Sequence, residues 1–475
     1  MIRALALLVV VVASVGGCKV RNEDFCCSTA ESCAEVGAAG ITPCTTAAAP
    51  FCDDTGEYEG VRRVCIADPL SNECAGVDDC PSPARPVCDV ADTGTCVRCG
   101  SGADCARFPT QPLCDPAGGG CVECLAATDC LAATAPVCGA DQTCRGCTAD
   151  AECASGLCTE ATGACVAVDA IVHVDAATGS GTACSAAMPC ATLTAGVAAI
   201  GGMRTHIKVT AGTYRESVVI DGKSLTIVAP GATLSPVALD STPLLVRNNS
   251  TVRVEGLRVS GALGIGDPNG IACLGQGADV PVLVLTEVQV DSSSGFGVFA
   301  SVCKLTIERA RLLDNDGGGL STNLGEIVIR NSFIAKNGDL SSGAGGAIIT
   351  TPANLIFEHN TVAENSAAGN VAAGVQCSSG MPRTLTGNII VGPGATQVAA
   401  NNCGFAYTLS NQGLVGTGNI MGTPTFVDAL GDDYHLQPTS AGIDAADPAS
   451  TVTVDIDGQP RPQGGRADIG ADEVR

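Results

Sequence analysis

The sequence contains no tryptophan, and only nine phenylalanines and four tyrosines among 475 residues. A large compact core uses aromatic rings to fill its wide gaps, so this scarcity argues against one. It suits a narrow stacked interior that valine, isoleucine, leucine and alanine can fill. Positive charge is scarce too: 25 Lys and Arg against 49 Asp and Glu give a net charge of −24. Nucleic acid and anionic lipid select basic surfaces, and neither is an expected partner of this one. A polyanion spread along the whole surface is disfavoured for the same reason, although a local basic groove would survive it. Wholesale disorder is excluded by an apolar fraction of 45%. What the chain has in quantity is glycine, 59 residues, and cysteine, 29 residues. The length exceeds one ordinary core and implies two or more domains.

Residues 1–18 read MIRALALLVVVVASVGGC. One basic residue, Arg3, precedes an apolar run from Ala4 to Ala13 that is too short to cross a bilayer, so residues 1–17 are expected to be an export signal. Val15-Gly16-Gly17-Cys18 resembles the lipobox of bacterial lipoproteins. That resemblance implies cleavage before Cys18, lipid attachment to it, and membrane association through the lipid. Lys19 in the sorting position implies the outer membrane. Setting Cys18 aside leaves an even 28 cysteines for pairing.

Residues 18–166 form a cysteine-rich region. Four units repeat one scheme: Cys74, Cys80, Cys88, Cys96; Cys99, Cys105, Cys114, Cys121; Cys124, Cys130, Cys138, Cys144; and Cys147, Cys153, Cys158, Cys165. A divergent group of six, Cys26 to Cys65, precedes them. Units this small cannot bury a core and need covalent staples. Four cysteines allow three pairings, and the sequence does not choose among them. Cys96-x2-Cys99, Cys121-x2-Cys124 and Cys144-x2-Cys147 also suit zinc, but export to an oxidising compartment favours disulfides. An acid precedes each second cysteine (Asp79, Asp104, Asp129, Glu152). Weak calcium ligation and turn capping are both open to it, and capping is the preferred role. The array resembles the Cys-rich repeats near the N-termini of large bacterial surface proteins, which implies a stiff spacer or an interaction module.

Between residues 283 and 367 four segments align without gaps at offsets of 22, 22 and 28: LVLTEVQVDSSSG (283–295), LTIERARLLDNDG (305–317), IVIRNSFIAKNGD (327–339) and LIFEHNTVAENSA (355–367). Fixed-period similarity is the mark of a solenoid. Leu285, Ile307, Ile329 and Phe357 share an inward column, as do Val290, Leu312, Ile334 and Val362. A second strand opening on glycine follows each row, at Gly297, Gly319 and Gly346. No helix separates the strands, so each turn of the chain must itself connect one parallel strand to the next. The expected fold is all-β: a right-handed parallel β-helix over 167–403, a short capping helix at its start and a cap over 404–475. In the helix, Leu193, Val197 and Ile200 share one face. The column Ser293, Asn315, Asn337, Asn365 is expected to be a structural ladder at left-handed turns. Cysteines about one coil apart predict the disulfides Cys273–Cys303 and Cys377–Cys403, and Cys184–Cys190 is expected as a local one.

THIKVTAGTYRESVVIDGKSLTIVAPG (205–231) resembles the opening coil of pectinesterase-like and pectate-lyase-like β-helices. Polysaccharide enzymes on that fold gather carboxylates, Arg and Lys on one outer face, often with calcium. The outward column here is Thr286, Glu308, Arg330 and Glu358, with His359 beside it. Glu308, Arg330, Glu358 and His359 are therefore the candidate catalytic residues if the protein is an enzyme. The family's short motifs (Gly-His-Gly, Arg-x-Lys, paired aspartates) are missing from the coil, which favours a structural charge ladder. DYHLQPTSAGID (433–444), DIDGQPR (455–461) and ADIGADE (467–473) resemble the C-terminal end of the "choice-of-anchor Q" group of bacterial surface β-helix proteins. That resemblance implies a surface location and no particular reaction. Asp455-x-Asp457-Gly458 lacks the further acids of a calcium loop and is taken as a turn. No cofactor or metal is expected, with weak calcium binding the one exception considered. The functional expectation is a lipid-anchored surface module for adhesion or for binding extracellular polysaccharide; the alternative is a polysaccharide lyase or hydrolase.

Overall fold

A computed structural model of the chain describes residues 51–53, 64–66, 74–92, 94–159, 162–339, 345–369, 371–394 and 396–475. The expected export signal, Cys18, and Cys26 to Cys44 lie outside the described residues. The described chain forms two compact bodies, divided after Val166.

In the first body each cysteine unit folds as a single-turn 3-10 helix followed by a very short antiparallel hairpin. The hairpin sets the third cysteine directly opposite the fourth: Cys88 faces Cys96, Cys114 faces Cys121, Cys138 faces Cys144 and Cys158 faces Cys165. Facing residues project to the same side, and each reaches a different earlier cysteine. The pairing is therefore first to third and second to fourth in every unit, as in Cys74–Cys88 with Cys80–Cys96. All sixteen sulfurs are consumed in this way, so the C-x2-C pairs hold no thiolate for zinc. Loops of 11 to 16 residues are closed, each worth roughly 3 kcal/mol of lost chain entropy. The acid before the second cysteine accepts backbone N–H bonds at the head of the turn. Asp104 Oδ2 takes those of Gly100 and Ser101 at 2.8 Å, and Asp129 Oδ2 those of Leu125 and Ala126 at 2.9 Å. Farther upstream, a two-stranded ladder sets Cys52 opposite Cys65.

The second body, residues 167–475, is a parallel β-helix whose coils each contribute one strand to three sheets. Sheet A contains Ile171–Val174, His206–Val209, Ser224–Val228, Thr251–Glu255, Val282–Thr286, Lys304–Glu308, Glu326–Arg330 and Asn354–Glu358. Sheet B consists of shorter strands, among them Arg258–Ser260, Gln289–Asp291, Arg311–Leu313, Phe333–Ala335, Thr361–Ala363 and Ile389–Val391. Sheet C runs from Val218–Asp221 through Phe296–Ser301, Gly318–Asn323 and Ala347–Thr350 to the long strand Val375–Thr386, which also joins sheet A. The register is that of the aligned rows: Leu285, Ile307, Ile329 and Phe357 stack in succession, as do Val290, Leu312, Ile334 and Val362. All eight are buried.

The coil turns from sheet A to sheet B through a single left-handed residue, with φ between 47° and 55° at Glu287, Arg309, Asn331 and His359. The asparagine column is the expected ladder, but the left-handed backbone falls on the residue before each asparagine. Asp314, Lys336 and Glu364 supply the left-handed backbone; Asn315, Asn337 and Asn365 follow them and point inward, fully buried. Asn337 Oδ1 accepts from Asn315 N at 3.1 Å, and Asn337 Nδ2 donates to Leu312 O at 2.8 Å and to Asn365 Oδ1 at 3.0 Å. Close stacking explains the glycines that open sheet C: a Cβ on Gly319 would stand 2.6 Å from Ile334 Cγ2, 2.7 Å from Gly346 O and 2.9 Å from Asn337 Nδ2, and one on Gly346 2.7 Å from Gly374 O and 2.8 Å from Asn365 Nδ2. A second ladder, Ser332, Asn360 and Asn388, satisfies the corner between sheets A and B in the same way.

The open start of the tube is plugged by the helix Leu193–Ala199, with Leu193 and Val197 buried against the first strands. Both helix ends are met by charge from the coil. Glu216 accepts from Leu193 N and Thr194 N at 2.7 and 2.8 Å, while Lys223 Nζ donates to Val197 O and Ile200 O at 3.0 and 3.1 Å. Cys184–Cys190, Cys273–Cys303 and Cys377–Cys403 are bonded.

The closing segment differs from the expected end cap over 404–475. The coil continues through Leu409–Ser410 and Ile420–Met421, and Leu414 packs on the end of the inner core. Residues 426–475 instead lie on the outer side of sheet B. In the early coils the outward residues of sheet B are polar: Thr233, Arg258, Ser260, Gln289 and Asp291. From the coil at Arg311 onward they turn apolar, as Leu313, Phe333, Ala335, Ala363, Ile389 and Val391, and these pack with Tyr434, Leu436, Ile456, Ala467 and Ile469. Each fully buried large side chain there contributes roughly 1.5–3 kcal/mol. The last three aligned rows thus carry two apolar faces, and the outer one calls for a cover.

Candidate functional site

Three of the four candidate catalytic residues meet on the outside of sheet A. Glu308, Arg330 and Glu358 occupy successive rungs in register. Arg330 Nε lies 2.5 Å from Glu358 Oε1, and Arg330 Nη1 lies 3.7 Å from Glu308 Oε1. The guanidinium sits between the two carboxylates and pairs with both. Half-exposed pairs of this kind contribute roughly 0–1 kcal/mol each.

His359 does not join them. Its left-handed corner turns the ring under the closing segment, where it is 1% exposed. Nδ1 accepts from Arg461 Nη1 at 2.7 Å and Nε2 lies 2.9 Å from Ser450 Oγ. Burial, aided by the adjacent Arg461 charge, pushes the imidazole pKa down to about 3, so the ring is neutral and enclosed. The Arg461 fork also donates to Asp468 O at 3.3 Å and Gly470 O at 3.0 Å, beside Glu473. The segments 455–461 and 467–473 thus form a buried polar knot that docks the closing segment.

The knot has a predictable pH signature. His359, with its lowered pKa, contributes stability that is present above pH 6.5 and is lost as the pH falls toward 3. Burial raises the Asp468 carboxyl to about 6, so Asp468 contributes stability that is full below pH 3.8 and lost as the pH rises through 6. The two oppose each other between pH 4 and 6. Asp468→Asn should unmask the histidine, and its melting temperature should rise more steeply over pH 4–6 than that of the wild type. Parallel curves for the two proteins would contradict this assignment.

A different site lies on the exposed early part of sheet B. A groove of about 360 Å³ is lined by Gly231, Gly256, Arg258, Glu287, Gln289 and Arg311. Arg258, Gln289 and Arg311 stand on adjacent rungs of one column. Arg258 is held by Asp291 at 2.7 and 3.0 Å, and Gln289 Nε2 donates to the same carboxylate at 2.9 Å. Burial pushes the Asp291 carboxyl up; hydrogen bonds from Arg258, Ser260 and Gln289 outweigh it and hold the group below its ordinary range. Arg311 lies over the Phe333 ring at 5.6 Å and reaches Asp457 Oδ1 at 3.4 Å. Arg309, at the adjacent corner, pairs with Glu287 at 2.7 Å. The column runs partly through the same aligned rows but carries no repeat signal in the sequence, because its members change type from rung to rung, from Arg258 to Gln289, Arg311 and Phe333. In the loop after the third aligned row, residues 340–344 lie outside the described residues.

Comparison with known proteins agrees with the architecture. A family model for the right-handed beta helix region matches residues 242–421. The crystal structure of pectate lyase Pel9A is similar, with 14% sequence identity and a TM-score of 0.40, covering 64% of this chain and 96% of that one. No curated protein matches the chain. Residues 167–475 contain a right-handed parallel β-helix.

Proposed function

We propose that this is an exported, lipid-anchored surface protein whose β-helix binds extracellular polysaccharide as an adhesion or recognition module. The observation that carries the reading is the sheet B groove, where Arg258, Gln289 and Arg311 present donors on adjacent rungs roughly 4.8 Å apart. Each arginine already faces a carboxylate: Arg258 with Asp291, Arg311 with Asp457 and the neighbouring Arg309 with Glu287. Fixed, charge-balanced donors suit sugar hydroxyls better than the carboxylates of an acidic polymer. The disulfide units and the lipobox-like Val15 to Cys18 support an extracytoplasmic setting, with Cys18 as the lipidation site and the outer membrane as the location. The rival reading is a polysaccharide lyase or hydrolase. It finds less support, because Arg330 fills the ladder and His359 is enclosed.

The test is a panel of neutral and uronate-containing polysaccharides, scored for both binding and turnover. Gln289→Ala should weaken binding of a neutral polymer about tenfold, equivalent to about 1.4 kcal/mol, while Glu358→Gln should leave it unchanged. Turnover abolished by Glu358→Gln would install the enzyme instead. Binding indifferent to Gln289 would remove the groove.

A further inference from the structure

The closing segment carries a donor cluster that shares Asp457 with the groove and centres on a histidine that neither the polar knot nor the groove uses. His435, on the strand Asp433–Leu436, meets Asp457 and Asp472, and one ligand atom from each lies within 4.8 Å of the others. The histidine is oriented from behind. Its Nδ1 lies 2.5 Å from Asp433 Oδ1, and the Phe333 ring packs edge-on against it at 5.3 Å. The ring is held between two carboxylates, with Nδ1 on Asp433 and Nε2 2.8 Å from Asp457 Oδ2, and a metal ion taking the place of the Nε2 proton would bind both the imidazole and Asp457. A carboxylate behind one ring nitrogen, with the other nitrogen facing carboxylates, is the arrangement that orients metal-binding histidines.

A second observation is independent of these contacts. Asp455 lies on the same turn as Asp457, is completely buried, and keeps its Oδ2 without any hydrogen-bond partner. Its Oδ1 is taken by the N–H groups of Asp457 and Gln459, at 3.0 and 2.7 Å, and its charge acts on Asp472. The buried Arg461 guanidinium offsets part of this charge, and the Oδ2 atom itself still lacks a hydrogen-bond donor.

We infer that His435, Asp457 and Asp472 form a divalent transition-metal site, with zinc as the favoured ion, Asp433 as the positioning residue and Asp455 as the charge beneath it. One imidazole nitrogen and two carboxylates suit zinc; calcium takes oxygen ligands throughout. Three protein ligands leave a fourth position for water, and the partly exposed His435 and Asp457 give the ion a way in. The ligands come from three separate stretches of the closing segment, so the ion would fasten those stretches together beside Phe333. Asp457 also holds Arg311, which places the site at the edge of the groove.

The full disulfide-bonded chain, with its thiols quantified, is titrated with zinc chloride by calorimetry and then dialysed and assayed for bound metal. Wild type should retain one equivalent more than His435→Gln or Asp457→Asn and should melt at a higher temperature with zinc than with chelator. Asp433→Asn should bind the same equivalent 10–100-fold more weakly, since it removes only the orienting contact. Asp457 is half-exposed, so Asp457→Asn serves if His435→Gln misfolds. Equal zinc content in wild type and both ligand variants would overturn the site, as would calcium binding that zinc does not displace. Polysaccharide binding and its Gln289 dependence are scored separately, so failure of either proposal leaves the other standing.

Discussion

Asn337→Leu is expected to destabilise the β-helix by about 3–5 kcal/mol, which is large against the marginal stability of folded domains. The side chain fits the tube in size, so the loss is not one of volume. Asn337 is fully buried and serves both neighbouring coils: it receives Asn315 N and donates to Leu312 O on one side, and donates to Asn365 Oδ1 on the other. Leucine leaves the Asn315 N–H and the Leu312 carbonyl buried without these partners, and each such group costs roughly 1–3 kcal/mol. Because coils touch only their neighbours, the damage should centre on the rungs from 311 to 365 and spread from there. Chemical denaturation followed by circular dichroism measures the loss. Ser321→Ala, on the outside of sheet C, should stay within about 0.5 kcal/mol of wild type. A comparable small effect from Asn337→Leu would show that the ladder is decorative.

Arg461→Met should be as costly, about 3–5 kcal/mol, but confined to the closing segment. The guanidinium side chain is buried and holds His359 Nδ1, Asp468 O and Gly470 O beside Glu473, itself 3% exposed. Methionine replaces the volume and leaves the Glu473 carboxylate without its cation. The flank of sheet B should then open, exposing Phe333 and Ile389, while the inner aliphatic columns keep their packing. Hydrogen-exchange mass spectrometry should show faster exchange over residues 433–475 and little change at Leu305–Ile307. Uniform loss of protection along the whole tube would mean that the closing segment is integral to the coil rather than docked on it.

These two substitutions sit on opposite sides of what could be read in advance. The asparagine column was visible because its members recur at the same place in successive rows; only its direction, inward rather than at a left-handed corner, needed the structure. Arg461 carried no such signal. Its partner His359 is 102 residues away, and although His359 belongs to the last aligned row, Arg461 belongs to no repeat. The same divide runs through the rest of the chain. Cysteine spacing announced four equivalent units, yet the choice of first-to-third and second-to-fourth pairing came from hairpins that set the last two cysteines face to face. Glu308, Arg330 and Glu358 fell on one column of the rows and do lie together, whereas His359, their neighbour in sequence, turns away because a left-handed corner separates it from the strand.

The sequence by itself determined the tube: a fixed period with aliphatic residues at fixed columns leaves one way to bury them, by stacking each coil on the next. Local repetition suffices for that, because every coil meets only its neighbours. The tertiary structure alone decided that the last fifty residues cover sheet B. It also decided that His359 is enclosed beneath Arg461, that a charge-balanced groove remains where the cover stops, and that His435, Asp457 and Asp472 converge. Those outcomes depend on contacts between segments with no shared period, whose meeting is set by the shape and polarity of surfaces that exist only once the coil has formed.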